Sequence, residues 1–221
     1  YIYLFGGYYM KQSQEFGYIH HTVAFSLKWD KGSQQEKDFL EKSYDILILV
    51  PNVENFAIRK QISKKNDFDY ELTMDFESEE KYEEYNNHPD HQGYVKNIWL
   101  KQTKNFLEKD TIVLMETPKT KTKENGIRHS VAFKLKWDKG SFEEQKFLED
   151  SFNILINVPN VKNFEVNKQT NANNPYDYEL AMDFDNQKEY GEYSNHDRHR
   201  AYVKNLWLKQ VSEFLEKDTT I

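Results

Sequence analysis

Several kinds of chemistry are excluded because the residues they need are missing. Cysteine is absent from the 221 residues, which excludes disulfides, thiolate catalysis, iron–sulfur clusters and cysteine-ligated zinc sites. The sequence shows no glycine-rich phosphate loop, no Ser/His/Asp nucleophile pattern and no pair of catalytic carboxylates. No stretch approaches the ~20 apolar residues that a membrane-spanning helix requires. We therefore predict a cytoplasmic protein without a membrane partner.

Positive charge is also scarce relative to negative charge. The chain has 30 Lys and Arg residues against 37 Asp and Glu residues, a net charge of −7. Nucleic-acid binding needs a concentrated cationic surface, so we predict no nucleic-acid partner. Aromatic residues, in contrast, make up 15% of the chain. This content is too high for a disordered chain and predicts a core rich in Tyr and Phe.

The sequence is a tandem repeat with an offset of 108 residues. The segment HTVAF at 21–25 returns as HSVAF at 129–133. Residues 19–113 and 127–221 align without insertion or deletion and are identical at about 56 of 95 positions. Such similarity indicates duplication. We predict a leader over 1–17, a first repeat over 18–115, a polar linker over 116–126 and a second repeat over 127–221.

Each repeat has patterns typical of alternating strands and helices. Period-two alternation predicts a strand at 19–28, and Ser33 followed by Glu36 predicts the start of a helix. The remaining predictions are strands near 53–61 and at 70–76, a short helix at 78–85, a long helix from Pro89 to about 107, and a strand at 110–114. This βαββαβ order, with one extra short helix, predicts an α+β, ferredoxin-like fold.

The alternation of side chains along the strands predicts which face of each sheet the helices cover. Val23, Phe25 and Leu27 form an apolar face that we expect beneath the helices, whereas the opposite face is small or polar. A bare sheet face is an association liability. We therefore predict that the two repeats pack sheet to sheet as an intramolecular α+β barrel. The expected state is a monomer with an internal pseudo-dimer, and a weak homodimer is the alternative.

Three motifs occur in both repeats. In the first repeat they are I-x-H-[TS]-V-A-F-x-L-K-W at 19–29, V-P-N-V at 50–53 and Y-x-x-Y-x-N-H-x-x-H at 82–91. They resemble the stress-responsive A/B barrel domain (Dabb) family of the dimeric α+β barrel superfamily. The resemblance implies ferredoxin-like units paired into a barrel. It does not imply one activity, because some plant members are stress proteins and a plant member cyclises a polyketide.

A set of polar residues is predicted to converge beneath the helices. His91 opens the long helix on the face shared with Val95, so its side chain should point at the sheet. His21 lies on the apolar strand face, and Tyr85 ends the short helix. We name His21, Tyr85 and His91 as candidate catalytic residues, with these counterparts in the second repeat: His129, Tyr193 and His199.

Three roles remain open for these residues. They can satisfy hydrogen bonds in the core, bind a ligand without chemistry, or transfer protons. In the third role a neutral histidine takes a proton from an activated carbon while the tyrosine orients a carbonyl. The same three positions match the acid–base residues that the resemblance to the plant cyclase implies.

His88 and His91 form a candidate metal site, because histidines three residues apart on a helix can bind a metal. The neighbouring Asp90 becomes Arg198 in the second repeat, so no acidic ligand is present in both copies. We therefore predict no metal and no cofactor.

The two copies differ where the long helix begins. The first copy has Pro89 and Gly93, which favour the first helical turn and leave space beside His91. The second has Asp197 and Ala201 at these positions and gains two arginines. We predict that the first copy keeps the better site.

The predicted function is that of a stress-response A/B barrel domain protein that is non-catalytic or binds a small apolar ligand. The alternative is a cofactor-free acid–base enzyme, a cyclase or isomerase acting on a carbonyl-rich apolar substrate. A cavity of ~300 Å³ or more with His21 or His91 on its wall would keep the enzyme alternative open, and solid aromatic packing would remove it.

Overall fold

A computed structural model describes residues 3–5, 8–10 and 18–221. The predicted leader over 1–17 therefore lies largely outside the described residues. Within it, the strands β1 (Tyr3–Phe5) and β2 (Tyr8–Met10) pair antiparallel. The rest of the described chain forms two compact units: the first-repeat unit, with residues 18–61 and 67–112, and the second-repeat unit, with residues 62–66 and 113–221.

The first-repeat unit has the predicted α+β order. Its strands are β3 (Ile19–Leu27), β4 (Glu54–Lys60), β5 (Tyr70–Phe76) and β6 (Thr103–Glu116), the last of which runs on into the second-repeat unit. Its helices are α1 (Gln34–Leu47), α2 (Glu79–Asn87) and α3, a continuous helix through Pro89–Tyr94, Val95–Trp99 and Leu100–Gln102. The strands pair antiparallel in the order β6-β3-β5-β4, which is ferredoxin-like.

The second-repeat unit repeats this arrangement. Its strands are β7 (Ile127–Leu135), β8 (Lys162–Gln169), β9 (Tyr178–Phe184) and β10 (Val211–Thr220). Its helices are α4 (Phe142–Leu155), α5 (Gln187–Asn195) and α6, which runs through Asp197–Tyr202, Val203–Trp207 and Leu208–Gln210. The strand order is β10-β7-β9-β8. The predicted fold of two ferredoxin-like repeats is confirmed.

The boundary between α3 and β6 differs from the prediction. The long helix ends at Gln102 rather than near 107, and the last strand begins at Thr103 rather than at 110. Residues from Thr103 onward pair antiparallel with β3, with Phe106 opposite Phe25. The hydrogen bonds of this pairing replace those of a longer helix, and the local pattern of apolar residues does not distinguish the two outcomes.

The apolar faces of the strands lie in the core, as expected. Phe25 is fully buried, and its ring meets Trp99 of α3 at 5.0 Å between centroids and Phe39 of α1 at 5.9 Å. The tilted and edge-on geometries are those that aromatic pairs favour. The core of each unit therefore joins its sheet to its helices through aromatic side chains.

Within the part of the chain that the structure describes, no helix is both long and apolar enough to cross a membrane. The cytoplasmic location, the packing of one repeat on the other and the monomeric state stay predictions.

The start of α1 gives a test of local stability. The Ser33 hydroxyl accepts a hydrogen bond from the backbone N–H of Glu36 at 3.2 Å. We expect Ser33→Ala to lower the free energy of unfolding by about 1 kcal/mol in urea denaturation, because this N–H loses its partner. Ser33→Asp keeps an acceptor and should retain the stability; an equal loss in both variants would show that the cap is not the cause.

Candidate functional site

A histidine outside the site fixes the start of α3. His88 precedes the helix, and its Nδ1 accepts the backbone N–H of Asp90 at 3.3 Å. This cap, together with Pro89 in the first turn, fixes where the helix begins. The Nδ1 atom of His88 is therefore engaged in capping the helix.

A π-helical stretch then shapes the wall of the site. Between Val95 and Trp99 the helix widens, and the N–H of Leu100 bonds to the carbonyl of Val95. The wider turn brings Tyr94 and Trp99, five positions apart, to the buried side. Stretches of this kind are frequent at functional sites, and no sequence pattern had indicated one.

The three candidate residues of each repeat lie together. The ring centroids of His21 and Tyr85 are 6.4 Å apart, and those of Tyr85 and His91 are 4.2 Å apart. In the second repeat the corresponding separations are 6.2 and 4.3 Å. The arrangement is thus nearly the same in both copies.

Each set lines a cavity beneath the helices. The first cavity has a volume of about 350 Å³ and the second about 310 Å³. His21, Tyr85 and His91 lie on the wall of the first cavity, and the remaining wall is mainly apolar, with Val23, Leu47, Leu72, Tyr94, Val95, Trp99, Leu100 and Phe106. These volumes lie at the lower end of the range of small-molecule sites.

A buried aspartate fixes the tautomer of His21. Asp110 of β6 lies directly opposite His21 of β3, and its Oδ1 is 2.6 Å from the Nδ1 of the ring. Both residues are buried. Because an ionised carboxylate can only accept, Nδ1 carries the proton and donates it to Asp110. The other ring nitrogen, Nε2, has no hydrogen-bond partner among the described residues and keeps its lone pair.

The aspartate belongs to a network that the sequence analysis missed. The Tyr82 hydroxyl lies 3.1 Å from Nδ1 of His21 and donates to Glu108 at 3.3 Å. In the second repeat His129 contacts Asp218 at 2.6 Å and Tyr190 at 3.1 Å. The 108-residue offset and the strand alternation of Glu108 and Asp110 carried this signal. The predicted strand contained Asp110 but began after Glu108, and neither residue was considered as a partner of His21.

His91 is held as a neutral ring. Its Nδ1 donates to the carbonyl of Asn86 at 3.3 Å, and a carbonyl can only accept. Burial lowers the pKa of His91, although the hydrogen bond to Asn86 opposes this effect. His199 has the same arrangement with Ser194 at 3.2 Å, and burial likewise lowers its pKa.

Tyr85 complements the two histidines as a donor. Burial raises the pKa of its hydroxyl far above the usual value, so it remains protonated at neutral pH. Each cavity therefore presents two histidine rings, one neutral tyrosine hydroxyl and one carboxyl group, that of Glu108 or Glu216, on an otherwise mainly apolar wall.

Among the described residues, each repeat has one cluster of side chains that could hold a metal. His21, Glu108 and Asp110 each offer an atom within 4.8 Å of the others, as do their second-repeat counterparts. The proton between Nδ1 of His21 and Asp110 occupies this position as a hydrogen bond, and a metal would have to displace it. That no metal or cofactor is used stays a prediction.

The surroundings of Gly93 do not support its proposed role beside His91. A methyl group added at Gly93 would meet no atom within 4 Å. The methyl group of Ala201, at the corresponding position of the second repeat, therefore does not fill a space that only glycine would leave open. The prediction that the first copy keeps the better site stays a prediction.

The fold and the site together define a class of protein: a duplicated ferredoxin-like α+β protein with a histidine- and tyrosine-lined cavity in each repeat. The sequence profile described as Stress responsive A/B Barrel Domain matches residues 19–113 and 127–221. The chain therefore belongs to this family and carries two copies of its domain.

Solved structures add relatives of this fold. A Dabb family protein from Mesorhizobium loti is 39% identical over 42% of this chain and 94% of its own, with a TM-score of 0.42. An anthrone oxidase-like protein is 10% identical over 94% of this chain and 92% of its own, with a TM-score of 0.70. A mutant chlorite dismutase from Candidatus Nitrospira defluvii is 8% identical over 94% of this chain and 92% of its own, with a TM-score of 0.62. The last two likenesses concern the fold alone. No curated protein matches the chain.

Burial of the two helix histidines gives a titration test. We expect His91 and His199 to titrate below the ordinary value of about 6.5. With a lowered pKa in the folded state, the unfolded chain binds more protons in this window. Their contribution to stability is therefore complete above about pH 6.5 and is lost as the pH falls through the lowered pKa.

The measurement is an NMR titration of the imidazole signals, assigned with the variants His91→Asn and His199→Asn. Titration of either ring at or above pH 6.5 would contradict the burial argument.

Proposed function

We propose that the protein binds a small, largely apolar ligand bearing a polar group in the cavity of each repeat. The observation that carries this proposal is the pair of cavities, about 350 and 310 Å³, each combining an apolar wall with the same three polar side chains. Such a combination is typical of small-molecule sites, where few polar groups orient a ligand held by apolar contact.

The polar side chains define what the ligand must offer. The unpaired Nε2 of His21 is an acceptor, so it suits a hydroxyl group of the ligand, whereas the Tyr85 hydroxyl suits a carbonyl. The aromatic walls, with Trp99 and Phe106 in the first cavity, suit a flat ring system. An aromatic phenol or ketone with one or two rings meets these requirements.

Ligand binding is tested with 2-naphthol, followed by NMR of the imidazole signals. We expect the signals of both cavities to shift in a saturable way. Val95 lines the first cavity, so Val95→Phe should fill it and abolish the shift of His91 while leaving that of His199. Val203→Phe should do the reverse, because Val203 lines the second cavity.

Leu49, which is 80% exposed, provides the control variant Leu49→Phe, which should bind at both sites. Saturable binding that neither cavity-filling variant reduces would place the ligand elsewhere and refute the proposal.

A second candidate function is cofactor-free acid–base catalysis. The hydrogen bond of 2.6 Å between His21 and Asp110 favours it, because simple binding does not require a carboxylate that fixes the ring tautomer. In this function Nε2 of His21 removes a proton from the carbon next to a ligand carbonyl. Asp110 stabilises the imidazolium that forms, and Tyr85 donates to the developing enolate oxygen. Proton return to carbon or ring closure would complete an isomerase or cyclase reaction.

The chemistry is tested by deuterium exchange of the methyl protons of 2-acetonaphthone in D2O. We expect the protein to accelerate the exchange, and the double variant Asp110→Asn/Asp218→Asn to reduce that acceleration at least about 100-fold, because the histidines lose their carboxylate partners. Asp90→Asn, at a residue whose side chain is 73% exposed, is the matched control. Equal rates with and without the protein would leave ligand binding as the function.

A further inference from the structure

One position distinguishes the walls of the two cavities. Asn86 of α2 lines the first cavity, and Ser194 of α5 lines the second at the corresponding place under the 108-residue offset. At every other position that lines both cavities, the described residues of the two repeats are of the same type. The apolar surface that would hold a ligand is therefore shared, whereas one polar side chain differs.

Asn86 is anchored on the wall by its backbone. Its carbonyl accepts from Nδ1 of His91 at 3.3 Å and from the side-chain amide of Gln92 at 2.5 Å. Burial raises the pKa of Tyr82, and the side-chain amide of Asn86 opposes this effect because it donates to the Tyr82 hydroxyl. That hydroxyl lies 3.1 Å from Nδ1 of His21. The amide of Asn86 is therefore close to the polar group that meets the ligand.

Ser194 uses its hydroxyl within its own helix. The Oγ atom donates to the carbonyl of Tyr190, one turn earlier in α5, at 2.9 Å. A serine hydroxyl has a single hydrogen, so this bond leaves it only as an acceptor. Arg200, which replaces Gln92, donates to the side chain of Asn195 at 2.8 Å. The second cavity therefore has no donor at the place where the first has an amide.

The amide of Asn86 offers a donor beside an acceptor. A primary amide has two N–H groups and one carbonyl, and one N–H of Asn86 serves Tyr82. The other N–H and the carbonyl suit a ligand that presents an acceptor beside a donor, which is how asparagine pairs with the edge of adenine. A lactam is a neutral group with this pattern, because the ring holds its C=O and N–H side by side.

We propose that Asn86 makes the first cavity selective for a flat ligand that carries a lactam. This rests on the proposed ligand-binding function. The lactam N–H donates to the Asn86 side-chain carbonyl, and the lactam carbonyl accepts from the remaining N–H of Asn86. In the second cavity Ser194 cannot supply this donor, so a lactam that enters loses hydrogen bonds to water without full replacement. Because the ligand is neutral, the selectivity does not depend on charged groups of the walls.

The test compares 2-quinolone, a bicyclic lactam, with 2-naphthol at pH 7.5, and the imidazole signals of His91 and His199 report the two cavities by NMR. We expect 2-quinolone to bind the first cavity about tenfold more tightly than the second, because two further hydrogen bonds form there. 2-Naphthol should bind both cavities about equally. N-methyl-2-quinolone, which lacks the N–H, should lose the preference.

The exchange of the two side chains gives reciprocal variants. Asn86→Ser should lower the ratio of 2-quinolone to 2-naphthol affinity in the first cavity to that of the second, and Ser194→Asn should raise the ratio in the second cavity about tenfold. The control is Asn87→Ser, at an exposed residue whose amide donates to the carbonyl of Glu83 on the helix surface; it should change neither affinity.

Equal binding of 2-quinolone to both cavities, or a preference that survives Asn86→Ser, would overturn the proposal. Binding of 2-naphthol without a preference of 2-quinolone for the first cavity would overturn this proposal but keep the proposed function. Binding of neither probe would contradict both.

Discussion

The antiparallel register between the first and last strands of each repeat places a buried histidine opposite a buried aspartate. His21 faces Asp110 across β3 and β6, and His129 faces Asp218 across β7 and β10. A buried carboxylate without a partner is costly, so each pair holds its strands in this register. The same contact fixes the ring tautomer and leaves one basic nitrogen for the cavity.

The long helix of each repeat completes the site, because it leaves a cavity beside the buried histidine. α3 starts at a histidine cap, widens through a π-helical stretch and ends where β6 begins. The aromatic rings that it buries form a rigid wall, because close-packed rings have few alternative positions. The cavity therefore results from how helix and sheet fit together.

The two repeats keep these polar residues while their surroundings differ. His20, which pairs with Asp75, is replaced by Arg128 in the second repeat, and Ala57 by Glu165. Arg128 contacts Glu165 at 2.5 Å and Asp183 at 3.0 Å. Arg128, which is always charged, thus comes with a second carboxylate, and the two carboxylates balance its charge where it is partly buried.

Lys65 illustrates a different kind of divergence. It lies in a segment whose sequence follows the first repeat and whose hydrogen bonds join it to the second-repeat unit. Duplication within one chain permits this, because each copy can acquire its own neighbours while the polar network inside remains the same.

The sequence by itself determined the duplication, the order of the elements, the apolar strand faces and the helix cap at Ser33, since these depend on local periodicity and on repeated motifs. It also indicated that His21, Tyr85 and His91 would converge, because strand alternation and helix phase assign side chains to faces. The tertiary structure decided where α3 gives way to β6. A stretch such as residues 103–107 can join either element, and pairing with β3 selects the strand. That pairing places Asp110 opposite His21. The contacts of Tyr82 with His21 and of Lys65 with Glu216 likewise join residues that are distant in sequence.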